Sequence, residues 1–383
     1  QVVSMFFLIS YGLINYATYY EARSASPSFR PRFRWFHPYA SLAGFGVCLA
    51  TMLAIDAASG IAAMAILLAL YQYVLRTAGP ARWADSRRSH YLQQARQNLI
   101  AAAAAPEHDR DWRPVILAFT HDRHRRPRLI RFCHWIAGRS GLTAAVEVVE
   151  GEGARARRDR DAAEETLRKD IAALDLPAFG LAVRTPDIGT ALPPLVQSFG
   201  LGPLKANTIC LNWVDQLGRG LDGEGSLKYA QNLRAVFRQG CNLAVMHASE
   251  DAWARTTAGP TGNERIDVWW WGDGDATSRL MLLLAHLMTR HQRWADAQIR
   301  LLAAARTTAP DAPRRSLTTL LADYRIDARP VTVDDADADT ILDASRDAAV
   351  VFMPFRIQGL RLTDPFGGSL ERLLPYLPVT ALV

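Results

Sequence analysis

The sequence predicts a membrane-embedded helical segment followed by an α/β domain of two linked, mostly parallel-sheet halves on the cytoplasmic side. Three observations predict it. Three apolar segments crowd into the first 76 residues, arginines cluster on one side of them, and strand-like and helix-like runs alternate over the rest of the chain.

The apolar segments run over about 2–20, 38–55 and 57–75, and none carries a charge in its interior. A helix rising 1.5 Å per residue needs about 20 mostly apolar residues to cross a bilayer. All three are read as spans. Asp56, with Ser59 and Gly60 close by, leaves only a short turn between the second and third, which predicts a hairpin. The chain opens at Gln1 inside an apolar run, with no charged leader and no small-residue cleavage site, and further sequence is expected upstream.

Orientation follows from arginine placement. Arg23, Arg30, Arg32 and Arg34 follow the first span against the single acid Glu21, and Arg76, Arg82, Arg87 and Arg88 follow the third. The Asp56 turn has no basic residue. Positive loops stay on the cytoplasmic side, so the spans run out-to-in, in-to-out and out-to-in, and the rest of the chain is expected in the cytoplasm, as part of a multi-pass protein of the cell membrane. Trp35, Tyr39, Tyr71 and Tyr73 fall where an aromatic belt is expected.

Residues 77–111 read as a linker containing a helix over 89–105. Beyond it, PVILAFT, LTAAVEVVE, FGLAVRT, NTICLNWV, NLAVMHA, IDVWWW, QIRLLAAA, RPVTVDD, AAVVFMPFR and VTALV read as about ten strands. Most are separated by helical runs, among them RLIRFCHWIAGRSG, ARRDRDAAEETLRKDIAALD and ATSRLMLLLAHLMTRHQRW. Strands joined through helices argue for parallel sheets covered on both faces. The division is placed near residue 255, giving halves 112–255 and 256–383. IGTALPPLVQSFG is expected to be helical only in part, because Pro193 and Pro194 suit a helix start. Residues 249–265 are read as a loop.

Composition excludes several functions. Lys and Arg number 44 against 38 acids, a net +6 that does not single out nucleic acid as a partner. The four cysteines, Cys48, Cys133, Cys210 and Cys241, lack metal or redox spacing and imply no disulfide framework. No phosphate-binding G-x-x-x-x-G-K-[ST] loop and no G-x-S-x-G elbow occurs, so no catalytic residue is assigned and no enzyme is expected. His121, His124 and His134 lie among five arginines in HDRHRRPRLIRFCH, which reads as a solvated basic loop and helix start rather than a metal site. Asp273 and Asp275 read as caps of the following helix, and Trp269, Trp270 and Trp271 as packing residues. No metal is assigned.

The first span differs from the others. Ser4, Tyr11, Asn15 and Thr18 recur at steps of seven, four and three, which places them on one helical face. Polar groups in a bilayer face protein or water, so the stripe serves either hydrogen bonds between helices or the wall of a substrate pathway. Tyr11 is the best candidate for a pathway residue, because a phenol can donate to an anion without adding charge. The second and third spans are rich in Ala, Leu and Gly and read as packing or dimer-facing helices, with Gly44 and Gly46 allowing close approach.

VVSMFFLISYGLINYATYYEA followed by SPSFRPRFRWF resembles the tenth span and next loop of the cation–chloride cotransporter family, within the amino acid–polyamine–organocation superfamily. SLAGFGVCLATMLAIDAASGIAAMAILLALYQYV resembles the eleventh and twelfth spans, and DWRPVILAF, FGLGPLKANTICL and ERIDVWWWGDGDATSRLMLLLAHLMTRHQRWADAQIRLL resemble blocks of its cytoplasmic domain. The likeness is greatest to the bacterial branch. It implies an inverted-repeat transporter of twelve spans whose substrate helices lie outside this chain, so that the chain is a C-terminal part not competent for transport alone. Tyr11 then matches a chloride-binding tyrosine, and Phe7 an aromatic of the extracellular vestibule, with Ser4, Asn15 and Thr18 lining the pathway. The implied substrates are chloride with potassium or sodium, or else amino acids. The resemblance further implies a homodimer through the cytoplasmic domain and last spans, with membrane lipid as surroundings. No cofactor is required, although a regulatory nucleotide in the first half would lie near Thr120. The competing class is a membrane-tethered α/β sensor or enzyme, which would have no use for the polar stripe.

Overall fold

The computed structural model describes residues 2–24, 36–77, 86–108, 111–120, 122–151, 153–186, 188–213, 223–259, 262, 264–271, 276–304, 317–333, 337–358, 361–364, 368 and 370–383. The chain divides into two compact units, 1–106 and 107–383.

The first unit holds α1 (Val2–Arg23), α2 (Pro38–Ile55), α3 (Ala57–Thr77) and α4 (Ser86–Ala104). Small residues set the packing of α1 on α2. A side chain added at Gly12 would meet Cys48 Cβ at 3.4 Å, and one at Gly44 would meet the Asn15 amide oxygen at 3.0 Å. Tyr16 lies against Phe45 with ring centroids 5.4 Å apart. The Asp56 carboxylate accepts from the backbone N–H of Ala58 (3.1 Å) and Ser59 (3.3 Å), capping α3 and closing the expected hairpin. Pro38–Ile55 and Ala57–Val74 are long and apolar enough to cross a membrane, and little of either is buried within the chain. Val47, Ile61 and Ile66 are each more than three-fifths exposed, as lipid-facing residues are and core residues are not. The expected first span is not among the helices that meet this apolar criterion. Ser10, Tyr11, Asn15, Tyr16, Thr18, Tyr19 and Tyr20 dilute its apolar content. The loop arginines Arg30, Arg32 and Arg34, together with Trp35 and Arg82, lie outside the described residues.

The second unit is built on a ten-stranded sheet. Its first half runs β1 (Val115–Phe119), α5 (Arg126–Ala137), β2 (Leu142–Glu150), α6 (Gly153–Leu174), β3 (Phe179–Thr185), α7 (Ile188–Ser198), a small hairpin of β4 (Gly200–Leu201) and β5 (Leu204–Lys205), β6 (Thr208–Asn212), α8 (Gly223–Arg238) and β7 (Asn242–His247). After α9 (Glu250–Thr257) the second half follows. It runs β8 (Arg265–Trp270), α10 (Ala276–Thr289), β9 (Gln298–Ala304), α11 (Leu317–Tyr324), β10 (Arg329–Val333), α12 (Ala338–Ser345), β11 (Val350–Met353), a hairpin of β12 (Arg356–Gln358) and β13 (Arg361–Thr363), α13 (Leu370–Leu373) and β14 (Val379–Leu382).

The sheet order is β10-β9-β8-β11-β14-β7-β6-β1-β2-β3. Each half therefore places its first strand centrally, its second and third to one side, and its fourth and fifth long strands to the other. All pairings within a half are parallel. The halves meet through β7 and β14, which pair antiparallel with Ala381 opposite Met246. The result is one continuous mixed sheet rather than two separate ones.

Period-two alternation divides the core between the two faces of the sheet. Leu117, Phe119, Ile209, Leu211, Trp269 and Val351 contribute to one cluster. Ile116, Ala118, Cys210, Val268, Trp270 and Phe352 contribute to the other. VILAF and VVFM are buried at every position, as expected of central strands covered on both sides. The outermost strands β3 and β10 carry exposed Arg184 and Arg329, charges that discourage pairing with another chain.

Two local expectations are corrected. The segment read as a loop over 249–265 contains α9, capped where the Ser249 hydroxyl accepts from Ala252 N–H at 3.1 Å. Ser-Glu-Asp supplies both the cap and acids in the first turn, which is a helix start. Likewise α7 is helical throughout, with Pro193 and Pro194 inside it. Leu192 and Val196, one turn apart, are buried in the core and offset the two missing N–H donors. Asp273 and Asp275, read as caps of α10, lie outside the described residues.

The helices α5 and α10 carry the contact between halves. Gly138 ends α5 at φ +59°, where an added Cβ would lie 2.7 Å from the Leu287 carbonyl oxygen. Around it Trp135 stacks on Trp253 (5.2 Å) and meets Trp294 edge-on (5.1 Å). Arg293 holds α9 in place, donating to the Glu264 carboxylate (2.7 Å) and to the Thr256 carbonyl (2.8 Å).

Candidate functional site

The structure splits the polar stripe of α1. Asn15 is half-buried against Gly44, and its amide donates to the Tyr11 carbonyl at 2.9 Å. The Thr18 hydroxyl donates to the Ile14 carbonyl at 2.8 Å and that of Ser10 to the Phe6 carbonyl at 2.9 Å. These groups are thus satisfied by their own helix, which lowers the cost of placing them in lipid. Ser4, Phe7 and Tyr11 are exposed. Phe7 and Tyr11, one turn apart, stack with centroids 6.4 Å apart, and Tyr11 is 59% exposed. An aromatic pair ending in a phenol O–H offers a neutral donor to an anion.

In the first sheet half, ligands of such folds sit beyond the strand carboxyl ends where the strand order reverses, here between β1 and β6. Described residues on both sides of that crevice are linked across it. Arg125 donates across it to the Trp213 carbonyl at 3.0 Å, and the Asp122 carboxylate accepts from the N–H of His124 at 2.8 Å. Thr120 is fully buried and donates its hydroxyl to the Val146 carbonyl at 3.1 Å.

The basic run read as solvated is not uniformly so. Arg126 is completely buried, donating to Glu147 and to Asp170 at 2.7 Å each. Arg123 reaches the same Glu147 at 3.4 Å and stays mostly exposed. Nothing in the local sequence distinguishes Arg126 from its neighbours, because its acids lie 21 and 44 residues away. Among the described residues no cluster of three or more metal-ligating side chains occurs. His121 lies outside the described residues, and His134 turns instead toward His291, ring centroids 4.8 Å apart and perpendicular.

That pair gives a pH prediction. Burial pushes the pKa of both imidazoles down, and for His291 the neighbouring His134, Arg139 and Arg293 add to it. Burial and then Arg290 lower His286 as well. The folded state therefore binds fewer protons than the unfolded chain. Stability is full above the ordinary histidine value of about 6.5 and declines as pH falls through the depressed values. Thermal unfolding followed at about pH 7.5 and 5.5 should show a smaller acid loss in His134→Gln than in the parent. An equal loss would discount the pair.

The described residues thus include two apolar helices in the first unit and, in the second, a two-halved α/β domain. Residues 255–347, from within α9 to just past α12, match the family model of solute carrier family 12. That match, over a minority of the chain, agrees with the sequence resemblance to the cation–chloride cotransporter family. Among solved structures, the crystal structure of the cytoplasmic domain of a prokaryotic cation chloride cotransporter aligns over 71% of this chain and 95% of that one, at 13% identity and a TM-score of 0.45. A structure described as a fructose-1,6-biphosphate aldolase candidate from Coccidioides immitis aligns over 61% and 76%, at 10% identity and a TM-score of 0.16.

The family match covers β8, where the IDVWWW block has a structural explanation. Asp267 is fully buried and opposes Arg300 on β9, accepting from it at 2.8 and 2.6 Å. Arg300 also donates to the Ala344 carbonyl (2.6 Å), and Trp269 Nε1–H to the Ser345 hydroxyl (3.0 Å). Two alternate positions of one strand thereby fasten the end of α12.

Proposed function

We propose that the chain is the C-terminal part of a secondary transporter that carries chloride together with potassium or sodium and performs no covalent chemistry. The solute carrier family 12 match carries this reading. The apolar α2–α3 hairpin supports it, with α1 as a third span whose polar groups are satisfied internally. In this reading Tyr11 donates to chloride, Phe7 lines the outer approach, and Ser4 continues the same exposed face toward spans preceding this chain. Asn15 and Thr18 serve the helix and its contact with α2. The arginine-rich loops of the sequence support a cytoplasmic α/β domain. The last spans and this domain form the homodimer contact.

The test is uptake into liposomes containing the full-length protein. Labelled chloride should accumulate when potassium or sodium is present outside and stop when both are replaced by a bulky organic cation. Amino acid uptake indifferent to chloride would instead assign an amino acid permease of the same fold.

A further inference from the structure

His134 and His291 border a cavity of about 530 Å³ at the amino ends of β2 and β3, at the other end of these strands from the crevice beside Thr120. Thr143 lies at its floor, opposite Ile116 and on the sheet face that α5 covers. The end of α5 supplies one wall through His134, with Arg139 just past it. Pro177, Ala178 and Phe179, where the chain passes from α6 into β3, supply another. The second half closes the cavity with His291 and Gln292, which open the one-turn 3-10 helix after α10.

The donors on these walls are unspent. Thr143 is 3% exposed, yet its hydroxyl has no hydrogen-bond partner among the described residues. Buried polar groups are ordinarily paired, so an unpaired one lining a cavity marks where a ligand atom is missing. His291 Nδ1 accepts from the Arg293 backbone N–H at 3.1 Å. The proton of the neutral ring is then on Nε2, which leaves an N–H to donate and no free lone pair for a metal ion. Burial lowers the pKa of both imidazoles, so both are neutral near pH 7. Arg139 is the full charge on the walls, exposed and without an ionic partner among the described residues. No acidic side chain lines the cavity among the described residues. Two carbonyls at the end of α5 are already used, Trp135 accepting from Gly138 at 3.1 Å and Ala137 from Gly141 at 2.9 Å. The volume is that of a small-molecule site, in which apolar surface supplies burial and a few convergent polar groups set orientation.

We propose that this cavity binds a small organic carboxylate, with the carboxylate among Arg139, the His291 Nε2–H and the Thr143 hydroxyl, and the apolar body against Pro177, Ala178 and Phe179. One guanidinium among neutral donors matches a single negative charge, and its planar fork matches the two oxygens of a carboxylate. The ligand would touch both halves of the sheet and so couple their contact to its concentration. This proposal does not depend on which solute the membrane part carries.

The experiment uses the full chain in detergent and 4-fluorobenzoate, followed by fluorine NMR. One molecule should bind per chain with saturation. The neutral 4-fluorobenzyl alcohol, and acetate added as a competitor, should each bind at least about tenfold more weakly. Arg139→Glu reverses the wall charge, and Thr143→Val removes the hydroxyl at nearly constant shape. Each should weaken binding by about tenfold or more. Arg238→Glu on α8 should leave it unchanged, and circular dichroism confirms that each variant folds. The proposal is overturned if 4-fluorobenzoate shows no saturable binding, or if binding survives either Arg139→Glu or Thr143→Val. It is equally overturned if the alcohol binds as tightly as the carboxylate, or if Arg238→Glu abolishes binding, which would move the site elsewhere.

Discussion

Arg126→Met is expected to destabilise the α/β domain by about 3–5 kcal/mol, the loss typical of breaking one side of a buried ion pair. Arg126 has no exposed surface and neutralises Glu147, itself buried on β2, while its other nitrogen reaches Asp170 on α6. Removing the guanidinium leaves a carboxylate inside the protein with only the exposed Arg123 nearby, at 3.4 Å. Methionine keeps the length and volume, so the loss reports charge rather than cavity. The double variant Arg126→Met with Glu147→Met should recover much of the stability, because apolar pairs often replace buried ion pairs without penalty. Asp170 then remains beside a methionine but keeps access to water, its side chain being 41% exposed. Urea unfolding of the parent, both single variants and the double variant checks this. Additive losses would remove the network from the account.

The second large effect is expected at Asp267→Ala, again about 3–5 kcal/mol. Asp267 is fully buried in the middle of β8, and its two oxygens hold Arg300 on the adjacent strand. Arg300 in turn holds the last turn of α12 through the Ala344 carbonyl. The loss should therefore be shared by α12. Hydrogen exchange should quicken at 338–345, whereas the first-half helix α5 should keep its protection. Uniform loosening of both halves would mean that the pair supports the whole sheet rather than this one attachment.

Much of this architecture is legible in the residues. LTAAVEVVE and FGLAVRT become β2 and β3 over their full lengths, because short runs rich in Val, Leu and Ala between helices favour parallel strands. The antiparallel joint between β7 and β14 is not legible, since the pairing depends on two strands more than 130 residues apart. The burial of Arg126 and the cross-strand pairing of Asp267 escape for the same reason. A charge within a basic run or an apolar strand shows its partner only once the sheet has formed. Helix α9 could have been found from Ser249, Glu250 and Asp251, which carry an ordinary N-terminal signal that the surrounding polar residues obscure. On α1 the seven-four-three spacing identifies a polar stripe, but spacing alone does not separate Asn15, which packs on Gly44, from Tyr11, which stays exposed.

The most direct measurement is labelled-chloride uptake by the full-length protein in liposomes, comparing the parent with Tyr11→Phe. The substitution removes a single hydroxyl and leaves the ring free to stack on Phe7. The account predicts cation-dependent chloride uptake whose apparent chloride affinity falls by about tenfold in the variant, as expected for losing one hydrogen bond to a charged ligand. Unchanged chloride dependence in Tyr11→Phe, in a protein that otherwise transports, would contradict the assignment of Tyr11 to an anion site.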